Sequence, residues 1–298
     1  MMGSGPQKDY EILLPGGVRM RASGDPASPL LRSFFEGYDR AFVLPDEREE
    51  LAGFEACLAL NASHRHAYGR THCELVAVLE DEDGTRLGGA NFLTTAMGPG
   101  RPARASVALN YIFIEEGARG RGLLRPALEG VRRLASLSLD LDPAGAAPAL
   151  FIEQNDPLRL TAEEYAADTR HSGLDQVDRL AIWARVGARV VDFPYVQPAL
   201  SRDQAPDDGL VYAAIDYPDV AVPTDLLHDH LQSFFGISVL KGAAEEPDGA
   251  AAIQLAALAG RSDPVALLRM EPALDWLRSG RSTQELSSFR ELARKAGG

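Results

Sequence analysis

The chain has 298 residues, 45% hydrophobic and 24% charged, the profile of a folded soluble protein with one large domain or two smaller ones, which excludes a mostly disordered chain. Its net charge of −13 argues against nucleic acid as a partner, and no run of about 18 apolar residues exists to span a membrane. Two cysteines, Cys57 and Cys73, make no disulfide framework, and the first residues lack a basic segment followed by an apolar run, so the cytoplasm is the expected setting.

In chain order, Tyr10 to Leu14 and Val18 to Ala22 read as a short hairpin around Pro15-Gly16-Gly17. Pro29 to Phe42 reads as a helix with Leu30, Leu31, Phe34, Phe35 and Tyr38 on one side. Pro45 to Asn61 reads as another, opening on Asp46, Glu47, Glu49 and Glu50, where the helix dipole favours acids. Cys73 to Leu79 and Thr85 to Thr95 form the arms of a second hairpin, and Met97 to Ala103 is a loop. Ala108 to Ile114 is an apolar strand rich in aromatic and β-branched residues. Glu115 to Gly122 is a loop with three glycines and two arginines, and Leu123 to Leu134 is an amphipathic helix. After a loop from Asp140 to Pro148 come a strand at Ala149 to Ile152, an insertion at Leu158 to Leu174, and a helix at Asp175 to Val186. Strands at Ala188 to Pro194 and Gly209 to Asp216 flank a polar loop, Tyr195 to Asp208. Helices are expected at Pro223 to Leu240, Ala250 to Leu268, Glu271 to Arg278 and Thr283 to Lys295.

The strand, glycine loop and helix around Gly120 aim free N–H groups and the positive end of a dipole at one point, as a phosphate site does. No Gly-Lys pair occurs, so this is not a P-loop, and Arg125 stands where a dinucleotide fingerprint needs its third glycine. Gly117-Ala118-Arg119-Gly120-Arg121-Gly122, with its flanks, resembles motif A of the GNAT superfamily of N-acetyltransferases. Gly117 replaces the leading Gln or Arg of that motif, while Arg119 and Arg121 restore positive charge nearby. Gln176 to Phe193, with Trp183 four residues before Gly187, resembles motif B.

The resemblance covers roughly Tyr10 to Asp216. It implies an α/β fold with a GNAT-type mixed, mostly antiparallel, splayed central sheet flanked by helices. It places the domain at residues 1–217 and leaves a helical C-terminal extension at 218–298, a candidate dimerisation element for a homodimer. The implied reaction moves an acetyl group from acetyl-CoA to a primary amine of a small-molecule or peptide acceptor, by direct attack in a ternary complex. The first two helices would help to wall the acceptor. Backbone groups of Ile112, Phe113 and Ile114 would hold the pantetheine and polarise the acetyl carbonyl. Arg119, Gly120, Arg121, Gly122, Leu123 and Leu124 would hold the pyrophosphate, with Arg125 a further cation beside it; Asn155 and Trp183 would also line the cofactor.

The catalytic groups depart from the family. Relatives carry a glutamate general base six residues before the strand's last apolar residue, and here that position is Ala108. Glu153 ranks first as a replacement, ahead of Asp156, Tyr111, His72 and Glu74. Relatives place a tyrosine acid where Trp183 stands, and an indole has no accessible acidic pKa. Tyr165, Tyr195 and Tyr212 are phenols without the right spacing. The histidines, His64, His66, His72, His228 and His230 among them, show no metal-ligand spacing and read as surface imidazoles. A non-catalytic coenzyme A sensor or scaffold on the same fold is the alternative.

Overall fold

The computed structural model describes residues 9–43, 48–98, 103–142, 144–200, 204–244 and 246–297. Pro45, Asp46 and Glu47, and parts of the expected loops at 97–103, 140–148 and 195–208, lie outside them. The chain divides into two compact units, Met1–Pro148 and Ala149–Gly298.

In the first unit, β1 (Asp9–Leu13) and β2 (Arg19–Ser23) form the expected hairpin. The antiparallel order continues through β3 (His72–Glu80), β4 (Arg86–Ala96) and β5 (Ala105–Ile114). Helix α1 (Pro29–Ala41) starts on Ser28, whose hydroxyl accepts the Leu30 N–H at 3.3 Å, with Pro29 preset for the first turn. Its Leu30, Leu31, Phe34 and Tyr38 pack with Phe54 and Leu58 of α2 (Leu51–Ser63) on Val76, Val78 and Phe113. Alternation along β3 puts Cys73 and Leu79 on the other face, where Leu79 pairs with Met20. Helix α3 (Leu124–Ser138) packs there, so closely that a Cβ on Gly130 would lie 2.5 Å from the Met20 sulfur.

In the second unit the strand order is β6 (Ala149–Asn155), β8 (Leu210–Ile215), β7 (Ala188–Val191), β10 (Val265–Arg269) and β9 (Ala221–Val222), all pairs antiparallel. Its helices are α4 (Ala162–Ser172), α5 (Gln176–Arg185), α6 (Thr224–Phe234), α7 (Ala250–Ala259), α8 (Glu271–Arg278) and α9 (Phe289–Gly297). The mixed, mostly antiparallel α/β class read from the sequence is what the chain adopts.

Several local expectations change: α2 starts at Leu51, so Glu49 and Glu50 precede it, and the last helix starts at Phe289 and not Thr283. The insertion contains α4, begun by a capping box in which Thr161 and Glu164 bond each other's backbone N–H. The helix expected from Ala250 to Leu268 stops at Ala259, because Pro264 bars its continuation and Val265–Arg269 pairs with β7 instead. The extension at 218–298 therefore carries two strands as well as its helices, and it shares a compact unit with residues 149–217. Among the described residues, no helix is long and apolar enough to cross a membrane.

The final helix is tied to the end of β6. The carboxylate of Asp156, 1% exposed, accepts the N–H of Leu158 at 2.9 Å and of Phe289 at 2.7 Å. Asp156 is thus an N-terminal anchor for α9. Replacing it with alanine leaves the buried Phe289 N–H without that acceptor, and we expect a loss of about 1–3 kcal/mol in urea unfolding.

Candidate active site

Strand β5 does not pair evenly with β4. Asn91 stands opposite Tyr111 and Phe92 opposite Leu109, so Asn110 is an extra residue and the strand bulges there. The Asn110 amide donates to Glu74 Oε1 and to Asn91 Oδ1, both at 3.0 Å, and Asn91 donates to the same Glu74 oxygen at 2.6 Å. Glu74, 1% exposed, is thereby engaged in fixing the bulge. Tyr111 packs edge-on against Tyr38, Phe42 and Phe54. Beyond it, Ile112 and Ile114 are half-buried, while the Phe113 ring is core. That ring needs glycine at two neighbours: a Cβ would sit 2.4 Å from it at Gly37 and 2.8 Å at Gly89.

The turn after β5 is gripped at its start. Glu115 accepts from Arg86 Nε at 2.8 Å and from an Arg40 nitrogen at 2.9 Å. A 3-10 turn over Glu116–Ala118 follows, and Arg119 Nε reaches back to the Ile114 carbonyl at 3.4 Å. Gly120 and Gly122 have φ of +76° and +73°, a region where side chains are strained. Leu123 then leads into α3, which has no side-chain cap at its N-terminus and no acidic residue in its first turn. Arg119, Arg121 and Arg125 are exposed around this end, Leu123 is buried and Leu124 is half-buried. Such a turn satisfies the chemistry of a pyrophosphate: backbone without Cβ atoms, an uncapped helix dipole and three guanidinium groups.

In the second unit, Glu153 lies within β6 opposite Tyr212. Its half-buried carboxylate accepts a hydrogen bond from the Tyr195 hydroxyl, and Gln197 Nε2 lies 3.3 and 3.2 Å from its two oxygens. The Tyr195 ring stacks on Tyr212 at 4.4 Å. Burial pushes the Glu153 carboxyl up from 4.5 to about 7, opposed by the Tyr195 bond, helped by the charge of Asp207 and opposed again by Gln197. Burial holds the Tyr195 phenol well above its ordinary value, so it stays protonated and donates. Asn155 ends the strand opposite Leu210 and is half-buried. Trp183 is 6% exposed on α5, placed as a packing residue.

Two histidines correct the surface reading. His72 is 1% exposed, with its pKa lowered to about 4 by burial and by His64, Arg65 and His66. His230 is 2% exposed, shares a 2.6 Å hydrogen bond with the Tyr212 hydroxyl, stacks on Phe151 at 4.2 Å, and is pushed down by burial to about 3. Both are neutral imidazoles within the fold. Cys57 and Cys73 are buried free thiols, and burial drives Cys73 up to about 12. Sequence reasoning missed Tyr195 and Gln197 as partners of Glu153, because their link depends on a loop whose course no periodicity encodes.

The raised pKa has a stability consequence. Below pH 4.5, folded and unfolded chains both hold the Glu153 proton; above about 7 both have lost it, and the folded chain bears a buried charge. The Glu153 contribution to stability therefore falls as pH rises between those values. Glu153→Gln should be more stable than the parent above pH 7, by about 1–3 kcal/mol, with the difference vanishing at acid pH in paired thermal melts. Tyr195→Phe removes a bond that lowers the Glu153 pKa, so titration of that carboxyl by NMR should move upward.

No protein-family model matches the chain, and no curated protein matches it. Solved structures do. A chimera of the Vibrio cholerae spermidine N-acetyltransferase is 12% identical over 67% of this chain and 95% of that one, with a TM-score of 0.36. A Bordetella pertussis protein described as a GnaT-family acetyltransferase is 13% identical over 69% and 99%, with a TM-score of 0.36. An Acinetobacter baylyi protein described as an acetyltransferase is 11% identical over 70% and 94%, with a TM-score of 0.34.

Proposed function

We propose that the chain transfers an acetyl group from acetyl-CoA to a primary amine. The observation that carries this reading is the turn from Arg119 to Leu124, with two glycines at positive φ before an uncapped helix and exposed arginines around it. The backbone of Gly120 to Leu124 would bind the pyrophosphate, and Arg119, Arg121 and Arg125 would add charge. Ile112, Phe113 and Ile114 would offer main-chain groups to the pantetheine arm and the acetyl carbonyl.

Bound acetyl-CoA supplies an acyl group activated as a thioester. The acceptor nitrogen forms the new bond to the acetyl carbon as the carbon–sulfur bond breaks. Glu153 takes the proton that the amine gives up. A carboxyl with a pKa of about 7 suits that role, because it is ionised in a good fraction of molecules near neutrality and is still basic enough to hold the proton. Tyr195 and Gln197 hold it in one orientation. The thiolate takes its proton from solvent, since the indole of Trp183 has none to give.

A second reading, a coenzyme A-binding sensor without catalysis, is favoured by Ala108 and Trp183, which lack the groups relatives use. Thiol release from acetyl-CoA across a panel of polyamines, amino acids, aminoglycosides and peptides separates the two. Glu153→Gln should lower kcat by about 10²-fold or more with coenzyme A affinity unchanged. Gly122→Ala should weaken coenzyme A binding by about tenfold, equivalent to roughly 1.4 kcal/mol, in calorimetry. Tight ATP or NAD binding with no affinity for coenzyme A would overturn the assignment; coenzyme A binding without thiol release would leave the sensor.

A further inference from the structure

The C-terminal extension has no part in the cofactor turn, yet two of its helices touch the surroundings of Glu153. Gln254 on α7 is 5% exposed and grips the main chain of Val196 on both sides: its Oε1 accepts the Val196 N–H at 3.0 Å, and its Nε2 donates to the Val196 carbonyl at 2.7 Å. The same Nε2 lies 2.8 Å from the Ala250 carbonyl one turn back, which fixes its rotamer. Val196 stands between the two residues that bond Glu153. Tyr195 and Gln197 give their side chains to the carboxylate, and Val196 gives its backbone to α7. Extended chain alternates in this way, so one amide on α7 sets the position of two donors at once. The far side of the segment is held by a two-bond bridge between Gln197 and Asp207, at 2.8 and 2.9 Å. Helix α6 adds the second support: His230 binds the hydroxyl of Tyr212, the ring on which Tyr195 stacks.

We propose that the extension is a clamp on the proton-accepting carboxylate, with Gln254 the positioning residue that holds Tyr195 and Gln197 on Glu153. The inference rests on Glu153 serving as the base. Gln254 touches neither acceptor nor cofactor in this scheme, and it acts through the loop it binds. A tail that served only to pair two chains would not need a buried amide engaged in this way.

The test is a double-mutant cycle in the full-length chain. Gln254→Leu should lower kcat about tenfold in the parent. In a Tyr195→Phe background it should lower kcat much less, because the donor that it positions is already gone. Coenzyme A affinity should not move. The acid limb of the kcat–pH profile should shift downward from about pH 7 toward the ordinary carboxylate range, as Glu153 loses the cover of the released loop. Gln254→Glu keeps an acceptor for the Val196 N–H but loses the donor to its carbonyl, and it should fall between parent and Gln254→Leu; it also serves if the leucine variant does not fold. Equal effects of Gln254→Leu with and without Tyr195, or an unmoved pH profile, would overturn the clamp. An unaltered kcat in Glu153→Gln would instead remove the base assignment beneath it, so the two failures are distinguishable.

Discussion

The partial burial of Glu153 is the constraint on which the surrounding part of the second unit depends. A carboxylate set within a strand beside Tyr195 and Tyr212 is costly to ionise, and that cost raises its pKa to about 7. Left to itself such a group would stay protonated or draw in water. Tyr195 and Gln197 instead donate to it, and each bond favours the charged form. The balance leaves the group half-ionised near neutrality. Neither burial nor hydrogen bonding alone gives that value. Burial without donors gives an inert acid, and donors without burial give an ordinary surface carboxylate.

The first unit meets the opposite problem, concentrated positive charge. Helix α3 begins without a side-chain cap or an acid in its first turn, and exposed arginines surround that end. A stable domain has ready means to neutralise such a terminus, a serine or aspartate cap being the simplest. The chain uses these means elsewhere: Ser28 caps α1, Thr161 caps α4, and Asp175 caps α5. Helices α2 and α7 also begin without a side-chain cap or an acid in the first turn; the start of α3 adds to this two glycines at positive φ and exposed arginines.

The sequence made these two regions legible to different degrees. The turn was readable because it is local: strand, glycines and helix follow one another, and hydrophobic spacing locates each. Glu153 was readable only as a carboxylate near a strand end. Its partners come from a loop 42 residues on, and that loop is placed by Gln254, a further 58 residues along. His230 was misread for the same reason. A histidine next to Asp229 on a helix looks solvated until the facing strand supplies Tyr212. Where periodicity failed outright, as at Val265–Arg269, the cause was a tertiary pairing with β7 that overrode a helical run.

Ala108 then becomes informative. It is 4% exposed on β5, opposite Leu93, in a run where neighbouring residues are equally buried. A glutamate there would need donors of its own, yet the polar groups near the bulge, Asn91 and Asn110, are already engaged with Glu74. In the second unit, His230 of α6 bonds the Tyr212 hydroxyl on β8, and Gln254 of α7 bonds the main chain of Val196. A base carried on Glu153 would require its two donors to be held in place, and Gln254 on the extension holds the main chain between them.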